Sequence, residues 1–180
     1  MTRKLFMKEK RLIKKTRWNG ILLGIVFAAA AVCFANKPDT LGSFSVIFGL
    51  LCIARGLFTL SNASERRGRK GYFWRPAFVC CAADLIIGLL FIIPRGSAAY
   101  LRVLSALWFL TDSAESLLNS GYFRRRDKNK FYVQSAAGLL GAVIGAVLIS
   151  GRAPASVTLS AASGIYYFIS GGSIFYLSMK

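Results

Sequence analysis

Six apolar runs joined by short links constrain this chain more than any other feature it carries. The runs are Trp18–Ala35, Leu41–Leu60, Phe73–Ile93, Ala98–Ser120, Phe131–Ser150 and Ala155–Met179. A bilayer core of about 30 Å takes roughly 20 largely apolar residues per helix, within a range of about 17 to 25, so each run is long enough to cross once. The composition points the same way. Of the 180 residues 55% are hydrophobic, and the mean hydropathy of +0.51 is too high for an ordinary soluble domain of this size. The expected fold is an all-α membrane bundle of six transmembrane helices.

The formal charge of +17, from 24 Lys and Arg against 7 Asp and Glu, would by itself fit a nucleic-acid-binding protein. The positions of the charges exclude that. The basic residues concentrate in 1–17, in Arg66–Arg75, in Arg124–Lys130 and at Lys180, each beside an apolar run. Basic flanks of this kind orient membrane helices and attract anionic headgroups. The tight links Asn36–Thr40, Pro94–Ser97 and Gly151–Pro154 each hold a proline and a single Lys or Arg, whereas Ser61–Gly71 and Tyr122–Lys130 carry the arginine runs. By the positive-inside bias the arginine-rich links and both termini face the cytoplasm. Trp18, Phe73, Trp74, Tyr122, Phe123, Phe131 and Tyr132 gather at the same boundary, where amphipathic rings favour the headgroup level. Within the basic segment 1–17, Leu5, Phe6, Leu12 and Ile13 fall on one helical stripe, as in a helix lying on an anionic leaflet. A disordered basic tail is the other reading of that segment.

Cys33, Cys52, Cys80 and Cys81 all sit inside apolar runs without a C-x-x-C pair, and the chain has no histidine. No metal site, cofactor or disulfide framework is expected from them. A cleaved leader is not expected either. Val32 is a poor residue to precede a lipidated Cys33, and five further apolar runs follow. Catalysis would need a nucleophile with its base, a metal shell or a phosphate loop, and none of these patterns is present, so an enzyme is not expected.

Trp18, Trp74 and Phe131 open the odd runs at spacings of 56 and 57 residues, which divides the chain into hairpin repeats over 18–61, 73–120 and 131–180. At a shift of 57, Gly24, Cys81 and Gly138 coincide, as do Ala31, Gly88 and Gly145. Between them, Ala28 and Ala142 match, while Phe27, Asp84 and Gly141 share a position. In the even runs Gly49 aligns with Ala106 and Gly164, and Gly56 with Ser113 and Gly171. Small residues on one face let helix backbones approach closely, the main attraction available to helices that gain nothing by hiding apolar surface in lipid. Gly24, Ala28, Ala31, Gly88, Gly138, Gly141, Ala142 and Gly145 are therefore the expected packing residues, in three hairpins about a pseudo-threefold axis.

The stretch Trp18-Asn19-Gly20-Ile21-Leu22-Leu23-Gly24-Ile25, the Asn36-Lys37-Pro38 turn and Gly49-Leu50-Leu51-Cys52-Ile53-Ala54-Arg55-Gly56-Leu57 resemble the HdeD-like family of bacterial membrane proteins, built from a short tandem repeat of unknown function. The resemblance runs from Trp18 to the C-terminus and is weaker in the later repeats. It implies a multi-pass protein of the bacterial inner membrane, with acid resistance or envelope stress as the functional analogy. It supplies no catalytic or ligand residues.

Three acids and one base fall deep within the runs: Asp84, Asp112, Glu115 and Arg55. Placing an ionisable group there costs about 2.5 to 3.5 kcal/mol on translocon scales, so such groups face the bundle interior, a partner or water. Counting from Leu60, Trp74 and Ser120 at about 1.5 Å per residue puts Arg55, Asp84 and Asp112 roughly 8, 15 and 12 Å from the cytoplasmic side. A cluster is expected in which Arg55 pairs with Asp84 or Asp112, Glu115 lying one turn toward the cytoplasm. Two function classes follow. One is a non-catalytic membrane protein acting through lipid contacts or homo-oligomers, in which the cluster fixes helix register. The other is a small proton or ion conduit using the cluster, which requires a hydrated cavity reaching Asp84 and Asp112.

Overall fold

The computed structural model describes residues 18–33, 41–66, 74–93, 97–151 and 155–179. Those residues form six helices and no strand: α1 (Trp18–Cys33), α2 (Leu41–Arg66), α3 (Trp74–Ile92), α4 (Ala98–Phe123), α5 (Lys128–Ser150) and α6 (Ala155–Met179). Among the described residues three helical segments, Phe44–Ser64 in α2, α3 and α5, are long and apolar enough to cross a membrane, and α1 is a shorter apolar helix. The stripe of Leu5, Phe6, Leu12 and Ile13, the turns holding Pro38, Pro94 and Pro154, the basic link ending at Phe73, and Lys180 lie outside the described residues.

The helices overrun the apolar runs at the end where the arginines cluster. α2 continues past Leu60 to Arg66, and α4 past Ser120 to Phe123. Polar residues such as Ser61, Asn62 and Ser64 end a hydropathy signal without ending a hydrogen-bonded helix. α5 begins at Lys128 because the Asp127 side chain accepts a hydrogen bond from the Lys130 backbone N–H at 3.2 Å, an N-cap that occupies one of the orphan donors of a helix start. The α4–α5 connection thereby shrinks to a tight turn, in which the backbone N–H groups of Arg126 and Asp127 both donate to the Phe123 carbonyl at 2.9 Å. Of the aromatic residues beside the arginines, Tyr122 and Phe123 turn inward and pack with Ala63 and Ala77, whereas Trp18 and Tyr132 are exposed.

The other ends are tied by different devices. Ser97 caps α4 by accepting from Tyr100 N–H at 3.2 Å. Gly151 closes α5 in the left-handed conformation, φ 66°, which side chains rarely adopt. Near the end of α3 the Tyr100 hydroxyl donates to the Leu90 carbonyl at 3.1 Å, and the Ser45 hydroxyl donates to the carbonyl of Phe91.

Close helix contacts recur at equivalent positions of the repeat. A Cβ added to Gly24 would lie 2.9 Å from the Gly171 carbonyl, and one on Gly171 would lie 2.9 Å from the Gly24 carbonyl, so α1 and α6 meet backbone to backbone. α2 and α3 do the same through Gly49 and Gly88, at 2.8 and 2.9 Å. In the third case α5 meets α4, with Gly138 against the Ser113 carbonyl and Gly145 against that of Ala106, both at 3.2 Å. Each odd helix thus lies on the even helix of the repeat before it, and α1 closes the series on α6.

Aromatic rings fill the centre. Phe48 of α2, Trp108 and Phe109 of α4 and Tyr167 of α6 are wholly buried, with Phe48 to Trp108 at 5.3 Å and Phe109 stacked on Tyr166 at 4.0 Å between centroids. Phe27 of α1 and Phe91 of α3 complete the packing, 5.1 Å from Tyr167 and 4.7 Å from Phe48. Such pairs add to the value of the area they bury. The outside is apolar too. Phe78, Val79, Ile86, Val143 and Phe168 are all more than half exposed, the reverse of a water-soluble surface.

Candidate functional site: a sealed Arg–carboxylate cluster

The even helices carry the charged residues inward. On α2, Arg55 adjoins Gly56, which keeps α2 close to α3: a Cβ there would lie 3.1 Å from Asp84 Cβ and 3.3 Å from the Cys81 carbonyl. On α4, Trp108, Asp112, Glu115 and Asn119 recur at helical spacing, so they share one face over roughly 16 Å of helix axis. Arg55, Asp84, Asp112 and Glu115 are all buried.

Within this arrangement Arg55 engages Asp112. Its Nε and Nη2 both reach Asp112 Oδ1, at 2.8 and 2.7 Å. Oδ2 is left for the Tyr166 hydroxyl of α6, which donates to it. Glu115 lies 3.9 Å from Arg55 Nη2 and is held by other groups: the Thr59 hydroxyl donates to it at 3.1 Å, and the Asn119 amide at 3.0 Å. Three helices therefore meet at one ion pair. A buried pair is favoured when its remaining lone pairs are also satisfied, and here Tyr166 does that for Asp112, while Thr59 and Asn119 hold the neighbouring Glu115.

Asp84 stands apart. The Trp108 indole N–H donates to its Oδ1 at 2.9 Å, while Oδ2 is buried without a hydrogen-bond partner among the described residues. Of the two partners expected for Arg55, only Asp112 makes the contact. Arg55 and Asp112 are 57 residues apart and occupy the same position in successive repeats, so the repeat itself brings opposite charges together.

The expected packing residues fall into three settings. Gly24, Gly88, Gly138 and Gly145 lie in the close helix contacts described above. Gly141 makes room for the cluster: a Cβ there would come 2.5 Å from Ser113 Oγ and 2.9 Å from the Tyr166 ring. Ala31 is buried and Ala142 half-buried, whereas the Ala28 side chain is exposed and only its backbone nitrogen approaches Gly171, 3.1 Å from the position of an added Cβ.

Tyr166, Thr59, Asn119 and Trp108 were not singled out in the sequence. Thr59 follows Arg55 by one turn, and Trp108 and Asn119 continue the helical row through Asp112 and Glu115, so periodicity carried a signal for those three. Tyr166 gives none, because its approach depends on how α6 packs. Among the described residues no three acidic, cysteine or histidine side chains are placed to hold a metal ion.

An all-helical bundle with an apolar exterior and an ion pair sealed inside defines a helical membrane protein. Residues 20–93, covering most of α1 and all of α2 and α3, match the family model described as a short repeat of unknown function, DUF308. The matched stretch contains Arg55, Asp84 and the Gly49–Gly88 contact. No curated protein and no solved structure matches the chain.

Proposed function

We propose that this is a non-catalytic, multi-pass protein of the bacterial inner membrane, of the HdeD type, acting in envelope or acid-stress adaptation through lipid contacts or self-association. In this reading all six helices span the bilayer as three hairpins about a pseudo-threefold axis, with both termini cytoplasmic. The recurrence of α1–α6, α3–α2 and α5–α4 contacts at equivalent small residues supports the symmetry. The basic flanks 1–17 and Arg124–Lys130 support the orientation and the attraction to anionic headgroups. The match of residues 20–93 to the DUF308 repeat supports the HdeD analogy.

The observation that carries the non-catalytic scaffold reading is the filled centre. A conduit needs a wet path to the charged groups, yet Phe48, Trp108, Phe109, Tyr166 and Tyr167 pack ring to ring there. Arg55 and Asp112 then act as an internal fastener among α2, α4 and α6. The test has two arms. Cells lacking the protein should survive an acid challenge less well, with survival restored by the wild-type chain. Purified protein in liposomes should give no proton or ion flux above empty vesicles. Normal acid survival without the protein would remove the stress role, and flux abolished by Asp84→Asn would replace the scaffold with a conduit.

A further inference from the structure

The buried charges do not balance. Among the described residues Arg55 is the one cation of the cluster, and it faces three carboxyl groups, on Asp112, Glu115 and Asp84. The titratable and charged groups that act on Asp84 are Cys52 and Arg55 from α2, Cys80 and Cys81 from α3 itself, Asp112 and Glu115 from α4, and Tyr166 and Tyr167 from α6. None of them except Arg55 can be positive. With all three acids ionised the centre would carry two uncompensated negative charges, which low-dielectric surroundings disfavour, and a proton on one acid halves that excess.

The hydrogen bonds single out where neutralisation falls. Asp112 holds Arg55 on one oxygen and Tyr166 on the other. Glu115 accepts from Thr59 and Asn119 and lies beside Arg55. Among the described residues Asp84, with no exposed surface, has a single donor, the Trp108 indole, and none of them donates to its Oδ2. A carboxylate oxygen with no donor is an unmet acceptor. The same oxygen carrying a hydrogen is the ordinary neutral acid, whose other oxygen still accepts from Trp108. A metal cation is a poor alternative, because it would take several converging oxygens, and Asp84 offers one.

We propose that Asp84 is a buried proton-binding site, its carboxyl group carrying a hydrogen on Oδ2 in the folded protein. Uptake converts the carboxylate to the carboxylic acid without any other bond changing, and release places a negative charge beside the Arg55–Asp112 pair. The site is independent of the stress role and of transport: a scaffold can carry it, and loss of an acid-survival phenotype would leave it untouched.

Infrared spectroscopy of the full chain in lipid vesicles at pH 7 tests the assignment. The wild type should show the C=O stretch of a protonated carboxylic acid. Carbon-13 labelling of the aspartate side-chain carboxyl should move that band to lower frequency, while labelling the glutamate carboxyl should not, and neither needs a variant to fold. Asp84→Asn should abolish the band and Asp112→Asn should retain it. Trp108→Phe, which removes the donor to Oδ1 without altering the acid, should shift the band to higher frequency. Absence of the band in the wild type, insensitivity to aspartate labelling, or its survival in Asp84→Asn would each overturn the proposal.

Discussion

Arg55 and Asp112, separated by 57 residues, form an ion pair in which two guanidinium nitrogens converge on a single carboxylate oxygen. That geometry leaves the second oxygen to Tyr166 and so ties α6 to a contact between α2 and α4. Arg55→Ala strands a buried carboxylate and should cost about 3–5 kcal/mol of unfolding free energy. Asp112→Ala should cost less, because Glu115 still lies 3.9 Å from Arg55. The double variant should lose much less than the sum, which reversible unfolding in mixed micelles would measure. Additive losses would mean that the pair is not coupled.

Tyr166 contributes through its hydroxyl. Tyr166→Phe keeps the ring stacked on Phe109 and deletes only the donor to Asp112, so a loss of roughly 0.5–2 kcal/mol is expected, the scale of hydrogen bonds between membrane helices. In the Asp112→Ala background the same substitution should be nearly silent. An equal loss in both backgrounds would separate Tyr166 from the cluster.

These two residues also mark how far the sequence could be read. Helix number, the small-residue stripes and the presence of Arg55, Asp112 and Glu115 in one cluster follow from period, repeat and the cost of charge in a span, which are local properties. Depth along the helices left Asp84 and Asp112 as equal partners for Arg55. What separates them is rotation: Asp84 points to Trp108, and Asp112 to Arg55. Rotation comes from packing, through contacts such as Gly56 against Cys81 and Asp84, and no local pattern encodes it. The inward turn of Tyr122 and Phe123 has the same origin, since the tight α4–α5 turn directs them against Ala63 of α2 and Ala77 of α3.

Close approach of α2 and α3 requires the absence of a side chain at Gly49 and Gly88. Gly49→Ala places a methyl 2.8 Å from the Gly88 carbonyl, so the helices must separate, and an overpacking loss of about 1–3 kcal/mol is expected. Gly172, on the same kind of helix, has nothing within 4 Å of an added Cβ. Gly172→Ala should be neutral or stabilising by about 0.4–1 kcal/mol, because it restricts the unfolded chain without a clash. If Gly49→Ala loses no more stability than Gly172→Ala, close contact does not govern Gly49.

The end of α3 offers a test of a single hydrogen bond. The Tyr100 hydroxyl of α4 donates to the Leu90 carbonyl at 3.1 Å. Tyr100→Phe should cost about 0.5–1.5 kcal/mol, the net value of an ordinary intramolecular hydrogen bond. Reversible unfolding in mixed micelles measures it, and an unchanged stability would show that the hydroxyl contributes nothing at this contact.

Thiol labelling separates the four cysteines and, with them, the orientation of the bundle. Cys33 is exposed near the end of α1, while Cys52, Cys80 and Cys81 are buried. In native membranes a maleimide should modify Cys33 first, and the other three should react at comparable rates only after denaturation. The proposed topology puts the end of α1 on the outer face, since the basic segment 1–17 holds its start on the cytoplasmic side. A membrane-impermeant maleimide added to intact spheroplasts should therefore reach Cys33, and Cys33→Ser should abolish the native signal. Labelling of Cys33 only in inverted vesicles would reverse the bundle in the bilayer, while labelling of Cys52 in the native protein would open the aromatic centre that the scaffold reading requires to be closed.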